Sequence, residues 1–129
     1  MAKEMTKNDV VLFEKIFTKL KSLLKEIQVL ASKKPNDAIN KFKLGLINEV
    51  IIEANNFLGM NNLPLDGFTN FDDDSIPTNS DVSMVLNLYI DRFELLKSYI
   101  TKFTKGAWYY NTTDGSAIRS SAPAKLQGK

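Results

Sequence analysis

Apolar residues recur at helical spacing over three long stretches of the chain, at about residues 9–32, 37–58 and 80–103. Within each stretch most apolar positions are three or four residues apart, which places them on one side of a helix with 3.6 residues per turn. The pattern therefore predicts three long helices. The short connection through Pro35 and Asn36 favours an antiparallel pairing of the first two.

Polar residues at the helix starts support these boundaries. Thr6 or Asn8 can cap the first helix, and Thr6 precedes Asp9 by three positions. Thr78 precedes Asp81 by the same spacing, which is typical of a capping box, although Asn79 or Ser80 could also cap the third helix. Asn36 is the predicted cap of the second helix, because an asparagine side chain can accept a hydrogen bond from a free amide of the first turn.

The second and third helices are rich in apolar positions. The predicted inward stripe of the second helix consists of Ile39, Phe42, Leu46, Ile47, Val50, Ala54, Phe57 and Leu58. The third helix has a main stripe and also a second one, formed by Met84, Leu88, Leu95 and Tyr99. Two stripes make an apolar surface wider than one helical hairpin can cover. We therefore expect the second stripe to lie under the loop and tail or to contact another subunit.

The connection between the second and third helices spans residues 60–79. Its length is unusual for a compact domain, and such loops are often functional or packed by their own side chains. Its apolar residues predict a loop packed on the helices, and they are Leu63, Leu65, Phe68, Phe71 and Ile76.

The C-terminal residues change in character. Asp114 and Gly115 favour a type I′ turn, so residues 108–113 and 116–120 are predicted to form a small β-hairpin. The predicted fold is all-α, an antiparallel bundle of three long helices with a long packed loop and this hairpin. The predicted division places the bundle at 1–105 and the hairpin with a basic tail at 106–129.

Composition limits the available chemistry. The 129 residues are 43% hydrophobic and 25% charged, which is typical of one globular domain. Cysteine and histidine are absent, which excludes disulfides, the usual zinc ligands and the common neutral-pH general base. We expect a non-catalytic protein without a metal or cofactor. The N-terminal residues lack the features of a signal peptide and no long apolar run occurs, so a cytoplasmic location without a membrane span is predicted.

Charge is unevenly distributed along the chain. Residues 1–50 carry a net charge of +4, residues 51–96 of −7 and residues 97–129 of +5. Segregated charge can close a fold on itself or join subunits head to tail. All but two of the basic residues are lysine, which suggests the AT-rich genome of a bacterium or phage.

An acidic and aromatic stretch precedes the third helix. A calcium loop starting at Asp72 would need an acidic residue where Ile76 stands and a glycine where Pro77 stands, so an EF-hand is excluded. The stretch is predicted to be the structural approach to the third helix, or else a partner-docking surface formed by Asp66, Phe68, Phe71, Asp72, Asp73 and Asp74.

Two sets of charged residues suggest alternative functions. Lysines away from the apolar stripe of the first helix could follow a nucleic-acid backbone, namely Lys15, Lys19, Lys21 and Lys25. Glu49 and Glu53 lie one turn apart, as the carboxylates of an all-α, metal-dependent nucleotide hydrolase would. At 100° per residue, Asp91 and Glu94 lie away from the main apolar stripe of the third helix, so they are not expected to face Glu49 and Glu53. This weakens the hydrolase alternative.

The aromatic residues near the C terminus have several possible roles. Trp108, Tyr109, Tyr110 and Arg119 could cover a small core, contact a protein or stack on a base or nucleotide. We retain Trp108, Tyr110 and Arg119 as partner-docking candidates. The leading functional prediction is a protein–protein interaction module, either a homo-oligomer or a small accessory subunit of a larger complex.

Overall fold

The computed structural model describes residues 5–124, which are mostly helical with a small two-stranded antiparallel sheet near the C terminus. This confirms the predicted helical class and the small sheet. The elements are α1 (Lys7–Lys33), α2 (Lys41–Leu58), a 3-10 turn (Met60–Asn62), α3 (Asn79–Ile100), β1 (Thr101–Thr104) and β2 (Ala107–Tyr110). The described residues divide into two compact units, one of residues 5–15 with 91–124 and one of residues 16–90.

The first unit has an aromatic core. Phe13 is completely buried and stacks on Phe93, with the ring centroids 5.4 Å apart. Tyr110 meets Phe13 edge to face at 6.2 Å. The backbone of Met5 exchanges hydrogen bonds with Asn111 and Thr113, at 3.0 Å each. These contacts hold the N-terminal residues against the C-terminal strand within this unit.

In the second unit, the residues between α1 and α2 pair with those before α3. Ile39 N donates to Pro77 O at 3.0 Å, and Asn79 N donates to Asp37 O at 2.9 Å. These backbone groups are therefore unavailable to a helix. The predicted start of α2 at residue 37, with Asn36 as the cap, is wrong for this reason: α2 begins at Lys41, and Asn40 caps it.

Both predicted capping boxes are confirmed. The amide of Asp9 donates to the Thr6 hydroxyl at 3.0 Å, and the amide of Thr6 donates to the Asp9 carboxylate at 3.1 Å. Thr78 and Asp81 form the same reciprocal pair, at 3.1 and 3.3 Å. Each pair satisfies two backbone donors that the helix cannot satisfy. α1 therefore starts at Lys7 and α3 at Asn79, close to the predicted starts at about residues 9 and 80.

Two ion pairs show the relative direction of α1 and α2 within the second unit. Lys19 of α1 contacts Glu53 near the end of α2 at 3.0 Å, and Glu26 contacts Lys43 near its start at 3.3 Å. Since residue numbers rise along one helix as they fall along the other, these two helices run in opposite directions, as predicted.

The buried face of α2 differs from the predicted one. Phe42 and Leu46 were expected inside, but 75% and 41% of their surfaces are exposed. The helix has apolar residues over most of its circumference, so periodicity alone could not select the inner face. The side chains that are buried are Leu44, Ile47, Val50, Ile51, Ala54 and Leu58.

The hairpin also lies earlier than predicted. α3 ends at Ile100, and β1 pairs with β2 through a two-residue turn at Lys105 and Gly106. Their φ angles of 51° and 78° define a type I′ turn. The predicted domain division after residue 105 would fall inside this turn. Residues 118–120 follow the other edge of β2, so the expected pairing with Trp108 to Tyr110 occurs only as a short bridge.

Two asparagines of α2 hold the long loop. The Asn48 side chain donates to Phe71 O at 3.1 Å and accepts from Phe71 N at 2.9 Å, as a neighbouring strand would. Asn55 Nδ2 donates to Thr69 O at 2.9 Å, and its Oδ1 accepts a 2.6 Å hydrogen bond from Tyr89. Asn48 and Asn55 are seven residues apart, or two helical turns, so both amides reach the same segment of the loop.

Candidate functional site

One side of α2 presents apolar side chains to solvent. At 100° per residue, Phe42, Gly45, Leu46, Glu49 and Ile52 fall within one arc and are all exposed, with the half-buried Glu53 and the exposed Asn56 further along the same arc. We call the first five of these residues the α2 face. Phe42 is its most exposed apolar member, at 75%, and Ile52 is 45% exposed. An exposed phenylalanine beside further apolar residues is typical of a surface that contacts a partner.

Gly45 lies in the middle of this face. A glycine inside a helix costs about 1 kcal/mol relative to alanine, so it needs a structural reason. Within the described part of the chain, a Cβ atom at Gly45 would meet nothing within 4 Å. No internal contact therefore explains the glycine, whereas the approach of another backbone to the outside of the helix would explain it.

The charges around the α2 face are of two kinds. Lys43 and Glu53 point to α1, where each has an ion-pair partner. Lys41 and Glu49 are exposed, and neither forms an ion pair with any of residues 5–124. The face therefore has an unpaired positive charge toward the N-terminal end of α2 and an unpaired negative charge two turns further on.

An open groove continues the apolar surface past the end of α2. It has a volume of about 350 Å³, and Ile52 and Met60 contribute apolar side chains to it. Met60 is 80% exposed. Asn55 and Asn56 also line the groove, but the side-chain amide of Asn55 is already bonded to Thr69 and Tyr89.

The residues predicted as an interface on α3 are unequally accessible. Met84 is 60% exposed, whereas Leu88, Leu95 and Tyr99 are half-buried. This second stripe therefore presents less apolar surface than its sequence suggests. It stays a predicted contact area, with Met84 as its accessible residue.

The predicted docking residues of the acidic stretch are accessible. Asp66 and residues 72–74 are exposed, and the Asp74 amide donates to the Asp72 side chain at 2.9 Å. Phe68 and Phe71 are half-buried and contact each other edge to face at 5.2 Å. The aspartates thus remain available to a basic partner, while the two aromatic rings are largely used to order the loop.

The aromatic residues of the first unit separate onto two faces of the sheet. Trp108 packs edge to face on Phe103 at 5.5 Å. On the opposite face, the Arg119 guanidinium lies 5.7 Å from the centre of the Tyr109 ring. Tyr110 is only 2% exposed. The expectation that Tyr110 docks a partner is therefore corrected, because its ring is part of the core.

The charged sets on α1 and α2 are partly engaged inside the second unit. Lys19 pairs with Glu53, and the ammonium of Lys21 lies 4.2 Å from the centre of the Phe17 ring. Lys15 and Lys25 are exposed. Among residues 5–124, no three carboxylates are grouped so that they could hold a metal ion. Glu53 faces a lysine instead of a second carboxylate pair.

Comparisons of the chain with protein-family models, with curated proteins and with solved structures found no match. No helix within residues 5–124 has the length and apolar character needed to cross a membrane.

The α2 face was missed by the sequence reasoning because Phe42 and Leu46 were assigned to the core. The available signal was Gly45: a glycine within an otherwise regular apolar helix calls for a packing reason. The hydrogen bonds by which Asn48 and Asn55 hold the long loop were not predicted either, because the positions of asparagines in a helix do not indicate which of them bind a distant segment.

Proposed function

We propose that this protein is a non-catalytic interaction protein that associates with a second copy of itself through the α2 face. The observation that supports the proposal is the exposed Phe42 beside an otherwise unexplained Gly45, with unpaired Lys41 and Glu49 nearby. A face that carries both charges can be complementary to itself, as a two-fold interface requires.

The spacing of the charges defines the arrangement. Lys41 is four residues before Gly45 and Glu49 is four residues after it, or about 6 Å along the axis on either side. If two α2 helices cross antiparallel at Gly45, Lys41 of each copy lies opposite Glu49 of the other. The two glycines then meet at the crossing point, where the absence of side chains allows the backbones to come close.

Phe42 is the apolar anchor in this arrangement. Its ring would pack against Leu46 of the second copy, near the centre of the interface. Burying a phenylalanine contributes about 1.5–3 kcal/mol, and the symmetry provides two such contacts. Crossed helix faces of this length belong to the small interfaces, below about 1,200 Å² in total, which form weak and transient complexes. We therefore expect reversible dimers that dissociate on dilution.

Sedimentation velocity over a range of concentrations tests the proposal. The weight-average sedimentation coefficient of the wild-type protein should rise with concentration, and Phe42→Ser should remove this rise. Met84→Gln is the matched control, because it removes another exposed apolar side chain, one that belongs to the predicted α3 stripe and has 60% of its surface exposed. A wild-type protein that stays monomeric at all concentrations would refute the proposal. Loss of association in Met84→Gln but not in Phe42→Ser would move the interface to α3.

A further inference from the structure

In the first unit, one aromatic and two cationic side chains lie side by side across β1, β2 and the segment that contains Arg119. Lys102 on β1 lies directly opposite Tyr109 on β2, and Tyr109 is bridged to Arg119 on the next segment. Directly opposed residues of antiparallel strands project from the same face. Lys102, Tyr109 and Arg119 therefore form a row in which one aromatic ring stands between two cations. We call these three residues the cationic row.

A groove of about 320 Å³ runs beside the row. Lys102, Lys105 and Tyr109 line it, together with Tyr110 and Ser116, while Arg119 lies outside its lining. The groove has the size of a small-molecule site, and its lining combines positive charge, hydroxyl groups and two tyrosines.

The cations of this surface are unneutralised within the described part of the chain. Lys102, Lys105 and Arg119 form no ion pair there. The nearby Asp114 accepts a hydrogen bond from the Ser116 amide at 3.0 Å. Hydrogen bonds from the Ser116 hydroxyl, and then from this amide, lower the pKa of the Asp114 carboxyl group. Asp114 therefore keeps its negative charge, but it is a single carboxylate beside three cations, so an excess of positive charge remains.

We infer that the cationic row binds a nucleobase that carries phosphate, either in single-stranded nucleic acid or in a free nucleotide. Base stacking on an aromatic ring of an open β-surface, with phosphates held by flanking cations, is a recurrent mode of single-strand binding. Tyr109 would stack the base on the ring face that the Arg119 guanidinium does not cover, and Lys102, Lys105 and Arg119 would hold the phosphates. The inference is independent of the proposed dimer, because the α2 face belongs to the other unit.

Fluorescence anisotropy with a labelled single-stranded oligothymidylate of about 12 nucleotides tests this inference at low ionic strength. Lys102→Gln and Arg119→Gln should each weaken binding and reduce the slope of log K against log salt by about 0.7. Tyr109→Leu should weaken binding about tenfold, whereas Tyr109→Phe should preserve it. Lys33→Gln is the control for an exposed lysine of the second unit that belongs to none of the candidate sites, and it should leave affinity unchanged.

Competition identifies the source of the ligand. If a nucleoside triphosphate displaces the oligonucleotide, the site binds free nucleotides. If it does not, the ligand is single-stranded nucleic acid. Equal affinity for a glutamate-rich peptide of matched charge would overturn the role of the base. The inference would also be overturned if neither the oligonucleotide nor the nucleotide bound, or if Lys33→Gln lost as much affinity as Arg119→Gln. Circular dichroism of each variant would verify the fold.

Discussion

The hydroxyl of Tyr110 donates a 2.8 Å hydrogen bond to the Glu14 carboxylate, joining two residues that are 96 positions apart in sequence. The bond connects β2 to α1 within the first unit, beside the stacked rings of Phe13 and Phe93. A buried tyrosine whose hydroxyl reaches a surface carboxylate both fills the core and fixes the position of the strand. The stability of this unit should therefore respond to changes at either partner.

The first prediction concerns alkaline pH. Burial is the main cause that raises the pKa of Tyr110 above its ordinary value, and the hydrogen bond with Glu14 raises it further. A raised folded-state pKa contributes stability that is complete below the unfolded pKa, near 10, and is lost as the pH rises toward the folded value. We expect the free energy of unfolding to fall from about pH 10 upward, as measured by urea titration.

Tyr110→Phe separates this effect from general alkaline denaturation. The variant should lose about 1 kcal/mol at neutral pH, because the hydrogen bond is removed while the ring remains. It should also lose less stability than the wild type between pH 9 and the alkaline transition. An identical alkaline profile in both proteins would show that Tyr110 does not control it.

The second prediction concerns the long loop. Asn48→Ala removes both hydrogen bonds to the Phe71 backbone and should destabilise the protein by about 1–2 kcal/mol. Asn48→Asp keeps the acceptor for Phe71 N but loses the donor to Phe71 O. Limited proteolysis should therefore cut near residues 72–74 fastest in Asn48→Ala. Equal cleavage rates in wild type and Asn48→Ala would mean that the loop is held by its apolar residues alone.

The third prediction concerns the type I′ turn. Lys105 adopts a φ angle of 51°, which is unfavourable for a lysine and well tolerated by asparagine. Lys105→Asn should raise the free energy of unfolding by about 0.5–1 kcal/mol, measured by thermal or chemical denaturation. Gly106→Ala should do the opposite, since alanine is strained at a φ angle of 78°. A destabilised Lys105→Asn would contradict the assigned turn.

The fourth prediction concerns Gly45 and separates stability from association. Gly45→Ala should stabilise the monomer by up to about 1 kcal/mol, because alanine favours the helix and a Cβ atom has free space there. The same methyl group would obstruct the close crossing of two α2 helices. We expect the melting temperature of dilute protein to rise while the dimer dissociation constant increases. An unchanged dissociation constant would place the contact away from Gly45.

Local signals in the sequence were sufficient for the helix ends that depend on nearby residues. The capping boxes at Thr6 and Thr78 were predicted because each needs only a partner three positions away. The start of α2 could not be predicted in this way. It depends on the pairing of residues 37–39 with residues 77–79. The two segments are distant in sequence, and neither contains a pattern that predicts their contact.

The candidate surfaces were harder to predict for the same reason. Trp108, Tyr109 and Tyr110 are adjacent and chemically similar, and only the register of β2 decides which ring is exposed. This register follows from the turn at Lys105 and Gly106. The turn was not predicted, because the dipeptide Asp114–Gly115 is the stronger turn signal in the sequence. Phe42 was assigned to the core because composition does not distinguish an apolar side chain that packs internally from one that stays exposed.

Sedimentation equilibrium of charge-reversed proteins tests the proposed self-association most directly. Lys41→Glu and Glu49→Lys should each weaken the dimer, since each places like charges opposite one another. The double variant should restore association to about the wild-type level, because the exchanged charges again attract across the two-fold axis. If the double variant is as weak as the single ones, or if all three variants associate like the wild type, the α2 face is not the interface.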